Sequence, residues 1–248
     1  MSSQILRKLP EFSVVILCYH AGEYARIFVA EVIENIRRLN VDYELVLVAN
    51  YWEGSQDKTP QIARELQRDN PFIKAVTLPK KGMMGWDMIS GLNASGGSVI
   101  AVIDGDGQMP AEDLVRVYKK LKEEKLDFVK TYRTKREDGF YRIFISLAYN
   151  LIFRILFPGL PVRDANSKPK IFTREVLEKM RLTSFDWFAD AEMIIKVRRF
   201  RLKIGEIPTI FKKIDIRPSY VKAEAIWEFV RNLVRARLNE FGARRRKG

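Results

Sequence analysis

Cysteine and histidine are nearly absent: one of each stands in 248 residues. Cys18 alone excludes an intrachain disulfide and a thiolate zinc cage, in keeping with a reducing compartment, and His20 alone excludes a multi-histidine centre. Any metal must then be held by oxygen, which points to Mg2+ or Mn2+. Long hydrophobic runs are missing too. No apolar stretch is long enough to cross a bilayer, and Met1 to Pro10 lacks the apolar core of a secretory leader, so the expected location is cytoplasmic. Acidic residues are in deficit, 31 against 44 Lys and Arg, for a formal net charge of +13. Such a chain suits anionic partners: nucleotides, phosphorylated lipids, an acidic membrane surface or nucleic acid. Hydrophobic residues make up 47% of the chain, enough at this length to bury one full core with room for a small appendage.

The most informative stretch is the apolar run Val99 to Ile103, which ends in Asp104-Gly105-Asp106-Gly107-Gln108. A buried strand that delivers two carboxylates to its exposed end can hold a hard divalent cation, and such a cation can neutralise a diphosphate. That pattern reads as a nucleotide-sugar site; the alternative is a solvated turn in which Asp and Gly are simply good turn formers. Upstream, strand and helix signals alternate. Phe12–Tyr19, Tyr43–Ala49 and Ile73–Leu78 read as strands. Tyr24–Leu39, Pro60–Arg68 and Trp86–Ala94 read as helices, the first with Ile27, Phe28, Val32, Ile36 and Leu39 on its inner side. A further strand is read over Asp127–Thr131. The alternation predicts an α/β fold with a mainly parallel sheet flanked by helices and a ligand site beyond the carboxyl ends of the strands, where Tyr19, Asn50 and Asp104 fall.

Ser13-Val14-Val15-Ile16 followed by Tyr19, Tyr43 to Val48 followed by Gly54-Ser55-Gln56-Asp57-Lys58-Thr59, and Gly91 to Gly97 leading to Asp104–Gln108 resemble a family 2 glycosyltransferase of the GT-A (Rossmann-like) fold. Within that family, the Asp-x-Asp-x-Gln ending, Arg163-Asp164-Ala165-Asn166-Ser167 and Gly205-Glu206-Ile207-Pro208 resemble dolichol-phosphate mannose synthases and related polyprenyl-phosphate glycosyltransferases. The resemblance runs from Phe12 to Phe211. It implies a nucleotide-sugar donor, with Tyr19 in the nucleotide pocket, Asp57 in the loop that closes it, and Asp104, Asp106 and Gln108 as ligands of Mg2+ or Mn2+. Departures occur as well: Leu17 replaces a usual Pro, His20 a usual Asn, and Ala49 to Glu53 the usual paired aspartates. Asn50 or Glu53 then become the candidate base contacts, with Trp52 as a stacking surface or a packing residue. For the acceptor phosphate the resemblance offers Arg133 and Arg163. Lys168 and Lys170 add charge in a loop where Lys168-Pro169 replaces the family's Gly-Phe; a solvated loop is their alternative. Asp164, Asp190 and Glu192 join Asp104 and Asp106 as candidate catalytic carboxylates, Asp190 or Glu192 orienting the sugar or serving as base for a hydroxyl acceptor.

Two segments bear on a membrane. In residues 140–157, Arg142, Ser146, Asn150 and Arg154 recur every four positions amid apolar neighbours, the pattern of an interfacial helix or, alternatively, of a core helix. Residues 218–248 carry eight basic and three acidic side chains around an apolar face of Ile226, Phe229, Val230, Leu233, Val234, Leu238 and Phe241. The expected organisation is a GT-A catalytic domain over 1–217 and a basic amphipathic helix and tail over 218–248. The expected activity is sugar transfer from a nucleotide-sugar to a polyprenyl phosphate by a protein lying peripherally on the inner, cytoplasmic face of the membrane, on an anionic surface or beside a separate membrane-anchoring protein. The alternatives are the same fold with a hydroxyl acceptor and, from another class, a basic nucleic-acid-binding protein. Nucleic acid is not an expected partner, because no nucleic-acid motif is present and the strand-end carboxylates would repel phosphate unless metal were present.

Overall fold

Runs of β-branched and aliphatic residues, each closed by polar or glycine-rich turns, build the centre of the chain. A computed structural model describes residues 9–136, 149–159, 162–212 and 230–240. In chain order they form β1 (Phe12–Leu17), α1 (Tyr24–Arg37), β2 (Tyr43–Val48), α2 (Thr59–Asp69), β3 (Ile73–Val76), α3 (Met84–Ala94), β4 (Val99–Asp104), α4 (Glu112–Glu123), β5 (Phe128–Arg136), β6 (Lys170–Thr173), α5 (Arg174–Met180), α6 (Ala189–Arg199) and β7 (Ile204–Phe211). Residues 149–156 and 230–240 are also helical.

One seven-stranded sheet runs in the order β3-β2-β1-β4-β6-β5-β7. β1 pairs in parallel with β2 and β4, and β2 with β3, so the first four strands form a parallel half. β6 is antiparallel to both β4 and β5, while β5 and β7 run together. The sheet is mainly parallel, the GT-A arrangement expected of the sequence. Side-chain alternation splits the core between its faces. Val14 and Ile16 of β1 pack with α1, α2 and α4, whereas Val15 and Leu17 pack with α3, α6, Phe153, Phe157 and Leu233.

One expectation needs adjusting, and two others fall partly outside the described residues. Ile27 is 63% exposed. The face of α1 that meets the sheet is Ala25, Phe28, Val29, Val32 and Ile36, which places Ile27 about a quarter-turn outside it. In the proposed interfacial helix, Arg142 and Ser146 lie outside the described residues. The other two members of the polar stripe turn toward the neighbouring loop: Asn150 Oδ1 accepts from the Ala165 amide at 3.3 Å and Arg154 donates to the Arg163 carbonyl at 3.2 Å. The exposed side is apolar, with Leu151 and Ile155 in the open. The boundary placed at residue 217 falls outside the described residues, but helix 230–240 is docked on the catalytic core. Leu233 is fully buried, Asn232 donates to Asp186 at 2.7 Å, and Glu240 pairs with Arg198 at 3.2 Å.

Candidate active site

The carboxyl ends of the parallel half collect Tyr19, Asn50 and Asp104, and each is placed by the strand before it. Asp104 ends β4 beside Leu17 of β1. The following loop is drawn tight: the Gly105 amide donates to Leu17 O at 2.9 Å, the Gln108 amide to Asp106 Oδ1 at 3.1 Å, and Lys212, just past β7, to Gln108 O at 2.9 Å. Gly107 has φ +69°, and a Cβ there would stand 2.0 Å from the Tyr24 hydroxyl, so both backbone conformation and space require glycine.

Beyond β1 and β2, the Tyr19 ring lies under the Lys80 ammonium at 4.2 Å, and Lys80 forms a buried ion pair with Asp87. Asn50 is fully buried beneath them. Its amide donates to Asp87 and Ser90, both at 2.9 Å, and its carbonyl accepts from Leu78 N at 2.8 Å. Its side chain is therefore taken up by hydrogen bonds inside the fold, while Glu53 and Trp52 stand exposed on the loop beyond. Asp57 ties two loops together, accepting from the His20 amide at 3.2 Å and the Thr59 amide at 3.0 Å. Lys80 and Asp87 carried no sequence signal, because a lysine in Lys80-Lys81 and a helical aspartate both read as solvated.

The other side of Asp104 is built by the reversed strand. Val102 of β4 faces Lys170 of β6, so continuing the antiparallel register two residues sets Lys168 opposite Asp104 on the same face of the sheet. Lys168 Nζ lies 3.3 Å from both carboxylate oxygens of Asp104 and 3.0 Å from Asp190, which stands in the first turn of α6; Lys170 takes the other oxygen of Asp190. The two lysines are buried, not part of a solvated loop. Burial alone would raise the Asp190 carboxyl, but Lys168 and Lys170 together hold it below its ordinary range. Asp164 likewise resists its burial, because Arg133 grips it with Nε at 2.6 Å and Nη2 at 2.9 Å and keeps it well below the usual carboxylate range.

Arg163 is exposed with its guanidinium 4.5 Å over the Tyr132 ring, its amide donating to Glu206. Glu192 is engaged elsewhere. It accepts from the amides of Thr183 at 3.1 Å and Ser184 at 2.9 Å, and from Lys196 at 2.6 Å. The structure thus brings together Tyr19 with Lys80, the His20 amide with Asp57, Asp104 with Lys168, Lys170 and Asp190, and Arg133 with Asp164. Lys130 was missed by sequence reasoning. It is fully buried across from Lys170, its ammonium donating to the carbonyls of Thr131 and Asp164, and burial pushes it down to about 7. The available signal was its place inside the apolar strand Phe128–Thr131.

A divalent cation at Asp104 and Asp106 would meet an oxygen-only donor set. Among the described residues no three His, Cys, Asp or Glu side chains gather into a cage. Two carboxylates, one of them 30% exposed, suit a hard cation that takes its remaining ligands from a diphosphate and water. The residues fit such an ion.

A match to the family described as Glycosyl transferase family 2 spans residues 13–182. The chain belongs to this family. The chain is 26% identical over 229 residues to a dolichol-phosphate mannosyltransferase of Pyrococcus furiosus, covering 90% of this chain and 62% of the relative. It is 27% identical over 181 residues to an undecaprenyl-phosphate 4-deoxy-4-formamido-L-arabinose transferase of Photorhabdus laumondii, covering 73% of this chain and 53% of the relative. The chain therefore spans between half and two thirds of the length of these curated relatives. The glucosyl-3-phosphoglycerate synthase of Mycobacterium tuberculosis, solved with Mn2+, UDP-glucose and phosphoglyceric acid, shares the fold with a TM-score of 0.64 at 20% identity, over 94% of this chain and 80% of that one.

Proposed function

We propose that this glycosyltransferase moves a sugar from a nucleotide-sugar donor to a polyprenyl phosphate, working peripherally at the cytoplasmic face of a membrane. The donor's nucleotide lies between the Tyr19 loop and the Asp57 loop, and its diphosphate lies toward Asp104, Asp106 and Gln108. A divalent cation bound by those three residues would offset the charge that develops on the leaving diphosphate. Arg133, aligned by Asp164, meets the acceptor phosphate, with Arg163 further out and the charges of Lys168 and Lys170 behind. These residues hold two anionic reactants in line, which is the larger part of what such a displacement asks of a protein.

The observation that carries this reading is the state of the three carboxylates that could have served as a base, Asp190, Asp164 and Glu192. Asp190 is clasped by two ammonium groups, Asp164 by a guanidinium, and Glu192 by two amides and Lys196. All three are held ionised and engaged, so they are poor proton acceptors for a hydroxyl nucleophile. A phosphate monoester is already an oxyanion and needs no base. The relatives' names support the lipid form of that acceptor, as do exposed Leu151, Ile155, Val234 and Leu238 beside exposed Arg154, Arg231 and Arg235.

The test gives the full chain a panel of nucleotide-sugars with Mg2+ or Mn2+, offering polyprenyl phosphate in vesicles in one arm and a water-soluble hydroxyl acceptor in the other. Metal-dependent transfer to the lipid phosphate is the expected result. Transfer to the hydroxyl acceptor alone would replace this reading with the soluble-acceptor one.

A further inference from the structure

The ion pair between Lys168 and Asp104 joins a resident cation to one of the two carboxylates assigned to a metal. We infer that Lys168 occupies the anionic side of Asp104 in the nucleotide-free protein, so that the divalent cation enters with the nucleotide diphosphate and not ahead of it. This rests on the proposed metal site at Asp104 and Asp106.

The geometry places Lys168 as a fixed counter-ion. The register of β4 against β6 sets the residue opposite Asp104. Its backbone is pinned where the Thr131 hydroxyl donates to Lys168 O at 2.7 Å and shares a 2.6 Å hydrogen bond with the Ser167 hydroxyl. The ammonium is equidistant, at 3.3 Å, from both oxygens of Asp104, astride the carboxylate where an incoming cation would be neutralised. Its other anchor, Asp190, is fixed from the far side by Lys170. The residue is buried, 4% exposed, and paired with Asp190 in the first turn of α6.

Two consequences follow from Coulomb's law at such short range. A bare divalent cation meets a carboxylate already neutralised, with a buried positive charge beside it. A cation arriving with a nucleoside diphosphate brings phosphate oxygens as ligands and enough negative charge to face Lys168 favourably. Metal and nucleotide should then bind with strong mutual reinforcement, and linkage requires each to tighten the other by the same factor.

Unbound Mn2+ can be counted by electron paramagnetic resonance over the full-length chain, with and without UDP or GDP. For the wild type, the expected result is weak Mn2+ binding alone and at least about tenfold tighter binding with the nucleotide. Lys168→Gln should bind Mn2+ alone about tenfold or more tighter than wild type, while Lys168→Arg, which keeps the charge, should stay near wild type. Equal or weaker Mn2+ binding by a folded Lys168→Gln protein overturns the inference and leaves the metal site standing. If Lys168→Gln does not fold, the wild type decides: Mn2+ affinity unchanged by either nucleotide overturns it. Failure of wild type and variants alike to bind Mn2+ even with nucleotide overturns the metal-site reading itself.

Discussion

Replacing Asp104 or Asp106 by alanine should abolish metal-dependent donor binding while the fold survives, because both side chains sit on the loop edge of β4 and not in its core. Turnover is expected to fall roughly 10²-fold or more, the scale at which lost charge stabilisation is felt in enzymes. Isothermal titration with the nucleotide-sugar and a thermal melt on the same samples check both halves. Arg133 separates positioning from fold. Arg133→Lys keeps the charge but loses the two-pronged grip on Asp164, so donor affinity should hold while KM for the lipid phosphate rises. Arg133→Ala leaves the Asp164 carboxylate buried without its partner and should cost about 3 kcal/mol in urea unfolding. Asp104 and Asp106 were legible because two carboxylates brought together at the end of an apolar strand repel each other until a cation lies between them. Lys168 and Lys170 were not. In a chain with a net charge of +13 a lysine is expected in water, and the Asp190 that draws both inward lies 22 and 20 residues further along.

At the scale of elements, β1, β2 and β4 could be read to within a residue or two, since each is an apolar β-branched run between turn formers. In the second half only the start of β5 was legible, over Asp127–Thr131. β6 has only four residues, and its place between β4 and β5 is decided by pairing with strands far away in sequence. Gly85, in the first turn of α3, was equally silent. A Cβ there would stand 2.3 Å from Ser184 O and 2.6 Å from Asp186 O, both backbone atoms of the loop before α6. Gly85→Ala should therefore displace that loop and destabilise by about 2 kcal/mol, as overpacking does. Because Asp186 also holds Asn232, amide exchange in helix 230–240 should quicken in the same variant, which hydrogen-exchange mass spectrometry would register.

For the molecule as a whole, pH and charge give two further expectations. Lys130 is held near 7 in the fold by burial, against an ordinary lysine value once unfolded. The unfolded chain then binds more protons between about pH 7 and 10, so stability rises with pH through that window, with a slope approaching about 1.4 kcal/mol per pH unit for one such group. Urea midpoints measured from pH 7 to 9.5 should climb, and Lys130→Met should flatten the rise. The basic surface and the exposed apolar residues of helices 149–156 and 230–240 predict sedimentation with anionic vesicles at low salt and less at high salt. Deleting residues 225–248 should weaken it without removing nucleotide-sugar binding.

The reversed strand β6 has a consequence for how the chain is made. The parallel half, β1 to β4, is complete in sequence before β6 exists, yet β4 finishes that half as an open edge of Val99-Ile100-Ala101-Val102-Ile103 with no charge along its length. Unpaired apolar edges of this kind recruit other strands, including copies of themselves. Until Lys170–Thr173 has emerged and turned back along β4, the growing chain carries an unpaired apolar edge next to Asp104, so the strand that delivers Lys168 to Asp104 also seals that edge.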